Sequence, residues 1–170
     1  PLETRLSLST SFQFRGGWGM GITPSVESFG FQPERYASYY VERPRGALAD
    51  TVPFVVGARV PARQLQVRVS TPQFGKLGAS VSSTFGRDAE FLESAQARRW
   101  DVNASLDLRP TPRLRINAIM LHQEFRRSRD NSTILRTNIP RLRTEYQFSR
   151  AIFFRFVGQY ESRLRDAYRD

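Results

Sequence analysis

Between Trp100 and Arg109 the chain alternates without a fault. Trp100, Val102, Ala104, Leu106 and Leu108 fall on one parity, and Asp101, Asn103, Ser105, Asp107 and Arg109 on the other. Successive side chains of a β-strand point to opposite faces, so this pattern predicts a strand with one apolar and one polar side. The same period of two recurs along the chain. In "PLETRLSLSTSFQFR", Leu2, Leu6, Leu8, Phe12 and Phe14 share a parity with Thr4 and Thr10, while Glu3, Arg5, Ser7, Ser9, Ser11, Gln13 and Arg15 take the other. Gly16-Gly17 supplies residues that tolerate positive φ, and a second run, "WGMGITPSVESFGF", completes a hairpin signal.

From Pro53 to Ser70 the apolar parity changes. Phe54, Val56, Ala58 and Val60 precede the change and Leu65, Val67 and Val69 follow it, which predicts a bulge near Pro61. Leu77, Ala79, Val81 and Phe85 form the next run. After the Trp100 run and its return strand, Leu142, Thr144, Tyr146 and Phe148 alternate with Arg141, Arg143, Glu145 and Gln147. Ile152, Phe154, Phe156, Gly158 and Tyr160 make the eighth run. The expected fold is therefore all-β, an antiparallel up-and-down meander of about eight long strands. It forms either a barrel or an open, barrel-derived curved sheet, with residues 1–170 as a single β-meander domain.

The spacing of turn signals adds a direction. Tight connections are predicted at Gly16-Gly17, Thr71 to Gly75, Pro110 to Pro112 and Ser149-Arg150. They alternate with long ones at Gln32 to Thr51, Arg87 to Arg98 and Arg126 to Thr133, the second holding a short helical turn in "AEFLESAQA". In a meander all the tight turns lie at one end and all the long loops at the other, as in outer-membrane barrels. The strand lengths also fit a membrane wall, which needs ~9 to 11 residues per tilted strand, better than the ~5 to 6 of ordinary strands.

Composition limits the chemistry. With 39% hydrophobic and 12% aromatic residues the chain can form an ordered sheet. No apolar run reaches the ~20 residues of a spanning helix. The formal charge is +10, carried almost wholly by arginine, with Lys76 the single lysine. Such a charge suits anionic lipid, polysaccharide or nucleic acid, but no nucleic-acid motif accompanies it, and nucleic acid is not expected as a partner. The absence of cysteine rules out thiolate metal sites and disulfides, and the single histidine, His122, rules out a His-rich metal site. No cofactor, metal or catalytic residue is expected. A triad would have to recruit His122, and the carboxylates sit among arginines that account for them as charge pairs.

Three groups of residues carry the candidate functions. Trp100, Val102, Leu106, Leu108, Tyr146, Phe148, Phe154 and Phe156 form a stripe that faces lipid or a partner. Asp101, Asp107, Arg143, Glu145, Arg155 and Glu161 form a polar face that either lines a lumen or builds cross-strand ion pairs. Tyr36, Tyr39, Tyr40, Arg126, Arg127 and Arg129 are candidate loop contacts. Trp18, Phe29, Phe31, Trp100 and Tyr160, with the three tyrosines, stand near strand ends where aromatic girdles meet a membrane interface.

The second half carries a more specific signal. "LRPTPRLRINA", "IPRLRTEYQFSRAIFFRFVGQYES" and the closing "LRDAYRD" resemble the C-terminal region of a family of large bacterial outer-membrane proteins. These join a periplasmic, carbohydrate-binding-like β-sandwich to a membrane β-barrel, and the resemblance covers roughly Arg98 to Asp170. It implies an outer-membrane location, no catalytic residues in the barrel, and further strands beyond "AYRD", so that this chain is a fragment of the barrel. Three readings follow: a non-enzymatic barrel segment with a polar lumen and external loops, open to solute passage or surface binding; an exported accessory subunit docked on a larger membrane complex at its periplasmic face; and a soluble β-domain for an anionic ligand. Membrane lipid or other subunits of such a complex are the expected partners.

Overall fold

The computed structural model describes residues 3–45, 48–57, 59–91 and 93–167. Leu2, Ala58 and residues 168–170, which figure in the sequence patterns, lie outside them. The strands are β1 (Glu3–Ser7), β2 (Thr10–Gln13), β3 (Gly19–Phe29), β4 (Tyr40–Arg45), β5 (Leu48–Pro53), β6 (Val60–Ser70), β7 (Leu77–Glu90), β8 (Ala95–Thr111), β9 (Leu114–Arg127), β10 (Thr133–Gln147), β11 (Phe153–Gln159) and β12 (Ser162–Arg165).

Ten of them form one antiparallel sheet in the order β1-β3-β6-β7-β8-β9-β10-β11, with β2 also on β3 and β12 also on β10. Ten strands thus occupy eight positions, the number the alternation predicts. β1 and β2 share a single register against β3, and β11 and β12 a single register against β10. Each outermost position is one strand broken in two.

Proline in the neighbouring strand breaks it. The Leu8 amide donates to the Pro24 carbonyl at 3.1 Å, and the Tyr160 amide to the Pro140 carbonyl at 3.0 Å. Neither proline has an N–H to return the second bond of the pair, so the ladder lapses there on both edges. The edges are not paired with one another, and the sheet is open.

The four turns predicted as tight lie at one end, called here the turn end. The β7–β8 and β9–β10 connections at the other end are as short, so the expected contrast of tight turns with long loops holds only for the connection between β3 and β6. The hairpin between β2 and β3 turns through Gly16 and Gly17, with φ of 84° and 85°, a region costly to any residue with a Cβ. The bulge expected near Pro61 is absent: β3 and β6 pair without a shift from Phe29–Val60 to Gly19–Ser70. Phe54 and Val56 precede β6 and belong to no strand, while Val60, the first residue of β6, lies on the face opposite Leu65 and packs with Phe31 and Ala89.

The opposite, loop end differs more from expectation. The connection placed at Gln32 to Thr51 is structured, with a 3-10 turn at Pro33–Tyr36 and the two-stranded β4–β5 sheet. The one placed at Arg87 to Arg98 is mostly strand, since β7 pairs with β8 out to Glu90–Ala95, whereas the one placed at Arg126 to Thr133 is a turn over residues 128–132, with only Arg126, Arg127 and Thr133 in strands. No helical turn forms in "AEFLESAQA" among its described residues. The Glu93 amide donates to the Glu90 carboxylate at 2.6 Å, which closes this connection tightly.

The only apolar cluster of buried residues, among those described, is small: Phe31, Val60 and Ala89, backed by Phe29, Tyr36 and Val56 near the loop end. Most of the large exposed apolar side chains lie instead over one side of the sheet.

Candidate functional site

Cross-strand register sorts the sheet into two faces. One face carries the row Met20–Val69–Val81–Ala104–Met120–Pro140, each residue directly opposite the next. Toward the turn end come Ala79–Leu106–Ala118–Leu142, Leu77–Leu108–Ile116–Thr144–Phe156 and Leu114–Tyr146–Phe154. Toward the loop end come Ile22–Val67–Ser83–Val102–His122–Asn138 and then Pro24–Leu65–Phe85–Trp100–Glu124–Arg136. Trp100, Val102, Leu106, Leu108, Tyr146, Phe154 and Phe156 therefore share the face the alternation assigns them. Phe148 sits just beyond β10 in the turn.

Five two-residue steps separate the Tyr146 row from the Trp100 row, about 33 Å along the strands at ~3.3 Å per residue. A tilt of ~35–45° reduces this to roughly 25 Å, the height of the apolar band of an outer-membrane barrel. Phe154 and Phe156 are 61% and 62% exposed.

The other face is mostly polar, although Phe153, Val157 and Leu121 on it are exposed as well. Asp107 receives Arg109 at 3.0 Å and Arg115 at 2.5 Å; Glu145 receives Arg143 at 2.6 Å and Arg155 at 2.7 Å. Arg99 bridges Asp88, at 2.6 Å, and Asp101, and Arg5 pairs with Glu27 at 2.9 Å. Ser80 and Ser105 hydroxyls meet at 2.8 Å. The side chains of Asp107 and Glu145 are only 19% and 21% exposed. These two carboxylates are thus better covered than Phe154 and Phe156, while the arginines that hold them are 41–51% exposed. At the turn end of this face a cavity of ≈ 630 Å³ is lined by Lys76, Arg109, Arg113, Arg115, Glu145 and Arg155 among others. Glu161 lies in the gap between β11 and β12 and pairs with Arg163 at 3.0 Å.

The candidate loop contacts divide. Tyr39 and Tyr40 are exposed. Tyr36 packs against Phe31 and Phe54 with ring centroids 5.9 Å away in each case, and its hydroxyl donates to the Phe91 carbonyl at 2.7 Å. Burial raises its phenol above the ordinary value. Arg129 lies in the short turn after β9. Arg127 is not a loop contact: it ends β9 and is buried, its guanidinium held by Glu93, Asp166, Ser132 and the Ala167 carbonyl. Arg126, the residue before it and also within β9, points to the opposite face, where it pairs with Glu124 at 3.1 Å.

The girdle aromatics divide as well. Trp18 stacks edge-on against Phe74 at the turn end, with centroids 5.8 Å apart, and Trp100 against His122 at 4.9 Å. Phe29, Phe31 and Tyr36 build the loop-end cluster instead. His122 is hydrogen-bonded through Nδ1 to the Asn138 side chain at 2.7 Å. Among the described residues no group of three or more metal-ligating side chains comes together.

No protein-family model, curated protein or solved structure matches the chain.

The arginines on the apolar side of the sheet escaped single-strand reading. Parity alone places Arg87, Arg98 and Arg126 with the apolar residues of their own strands. Only the registers of four strands show that they stand in one line with Arg63.

Proposed function

We infer that this chain is a non-enzymatic segment of an outer-membrane β-barrel wall, its apolar face against lipid and its polar face toward a lumen. The observation that carries the reading is the band of exposed apolar rows, bounded at the loop end by Trp100 and spanning roughly the ~25 Å of a membrane wall. The ion pairs of the opposite face suit a polar lumen, where each carboxylate is taken up by guanidiniums and cross-strand charge stabilises the wall. The long, structured β4–β5 connection fits an external side at the loop end.

The open edges specify what the wall still needs. An unpaired strand edge is untenable in lipid, because its N–H and C=O groups find no water there. Further strands complete the wall at β1–β2 and β11–β12. The second reading, a subunit docked on a larger membrane complex, rests on those same edges, with the strands supplied by a partner.

Arginine substitution on the two faces tests the wall. Leu106→Arg, near mid-band, is expected to lower stability in lipid vesicles by ~2–4 kcal/mol, while Ser105→Arg on the polar face is tolerated. Equal tolerance of both would refute a lipid-facing band.

A further inference from the structure

Arg63, Arg87, Arg98 and Arg126 stand directly opposite one another on β6, β7, β8 and β9. Like charges directly opposed across a sheet are destabilising. On the polar face the sheet avoids this by setting carboxylates between its arginines. Here it does not: among the described residues no carboxylate lies within ion-pair distance of Arg63, Arg87 or Arg98. Arg87 reaches only the Gln96 amide oxygen, at 3.5 Å, and Arg98 only that of Asn131, at 3.2 Å. Arg126 shares the single carboxylate of Glu124 with Arg136.

The position of this row is as informative as its charge. It lies one two-residue step beyond the Phe85–Trp100 pair that bounds the apolar band, and it spans about 14 Å at ~4.8 Å between strands. Beside it opens a cavity of ≈ 710 Å³ whose lining runs from Phe85 and Trp100 to Arg87, Arg98 and Arg126. Tryptophan occupies the headgroup level of a membrane, and guanidinium groups form forked hydrogen bonds with phosphate oxygens.

We propose that this arginine row binds the phosphate-bearing headgroups of anionic lipids in the leaflet at the loop end. The inference rests on the wall reading above, and it adds a lipid class and a site. The acyl chains lie along the apolar band below Trp100, and the headgroup anions supply the counter-charge that the protein withholds. The fork-shaped donors of neighbouring strands hold phosphates side by side along the row.

The chain has two tryptophans, so Trp18→Phe leaves Trp100 as a single reporter two residues from Arg98. In vesicles carrying equal fractions of brominated-acyl phosphatidylglycerol or brominated-acyl phosphatidylcholine, Trp100 is expected to be quenched several-fold more strongly by the anionic lipid. The combined Arg87→Gln and Arg98→Gln replacement removes that preference and leaves quenching by phosphatidylcholine unchanged, which also shows that the variant has inserted. Equal quenching by the two lipids in the parent overturns the headgroup site and leaves the wall standing, whereas no quenching by either overturns both. A preference that survives the double replacement overturns the assignment to the row. Excess inorganic phosphate at constant ionic strength is expected to leave the preference intact; its loss would assign the row to a free anion instead.

Discussion

Arg127 and Glu93 form a forked ion pair at the loop end, Nε to Oε2 at 3.0 Å and Nη2 to Oε1 at 2.5 Å, with 3% and 4% of the two side chains exposed. The pair ties the end of β9 to the connection between β7 and β8. Asp166 joins it at 2.8 Å from beyond β12. One guanidinium therefore fastens three separate segments at the loop end.

Removing one partner of a buried pair leaves an uncompensated charge, a loss of ~3–5 kcal/mol. Arg127→Ala is expected to destabilise by about that amount in denaturant unfolding of the detergent-solubilised protein. The combined Arg127→Met and Glu93→Leu replacement should cost less than the single change. A single replacement without measurable cost would show that the pair is not a fastening.

The edges offer a second test. Pro140→Ala supplies the N–H that the Pro140–Tyr160 pair lacks, so β11 and β12 are expected to join. The introduced amide should be protected in hydrogen exchange, with a gain of about 0.5–1.5 kcal/mol. Rapid exchange of that amide would mean that the break has a cause other than the proline.

Charge on the polar face sets a third expectation. Asp107→Asn with Glu145→Gln leaves Arg109, Arg115, Arg143 and Arg155 without the carboxylates they now hold. In planar bilayers the variant is expected to shift ion selectivity toward anions. A shift toward cations, or none in a conducting wall, would contradict a lumen on that side.

The Tyr36 hydroxyl donates its proton to Phe91, and its pKa in the folded chain is raised by burial. Its contribution is complete below the ordinary phenol value of about 10 and is lost as pH rises through the raised folded value. The stability difference between the parent and Tyr36→Phe, about 0.5–1.5 kcal/mol at neutral pH, should therefore close above pH ~10. A difference that holds constant or widens there would exclude the hydroxyl's hydrogen bond as its source.

The staves and their faces were legible in the sequence because both follow from a period of two within one strand. Leu106 and Asp107 are neighbours, and their opposite surroundings could be read from parity alone. What a strand owes to its neighbour was not legible. Pro24 and Pro140 act on Leu8 and Tyr160 only through register, and the arginine row exists only when four registers are superposed. The burial of Arg127 was missed for a related reason: "RRSRDN" looks like a polar loop until Glu93 and Asp166, distant in sequence, are brought to it. The connection after β7 was overestimated because charged residues there read as loop, whereas strands that extend past an apolar band carry charge on both faces.

The most direct measurement uses spin labels on single cysteines introduced one at a time at Ala104, Ser105, Leu106 and Asp107, in a chain that has no cysteine of its own. In lipid vesicles, labels at residues 104 and 106 are predicted to be reached by oxygen and shielded from a water-soluble nickel chelate, and labels at residues 105 and 107 to show the reverse. Loss of that alternation, or nickel access at residues 104 and 106, would contradict a wall with lipid on one face and water on the other.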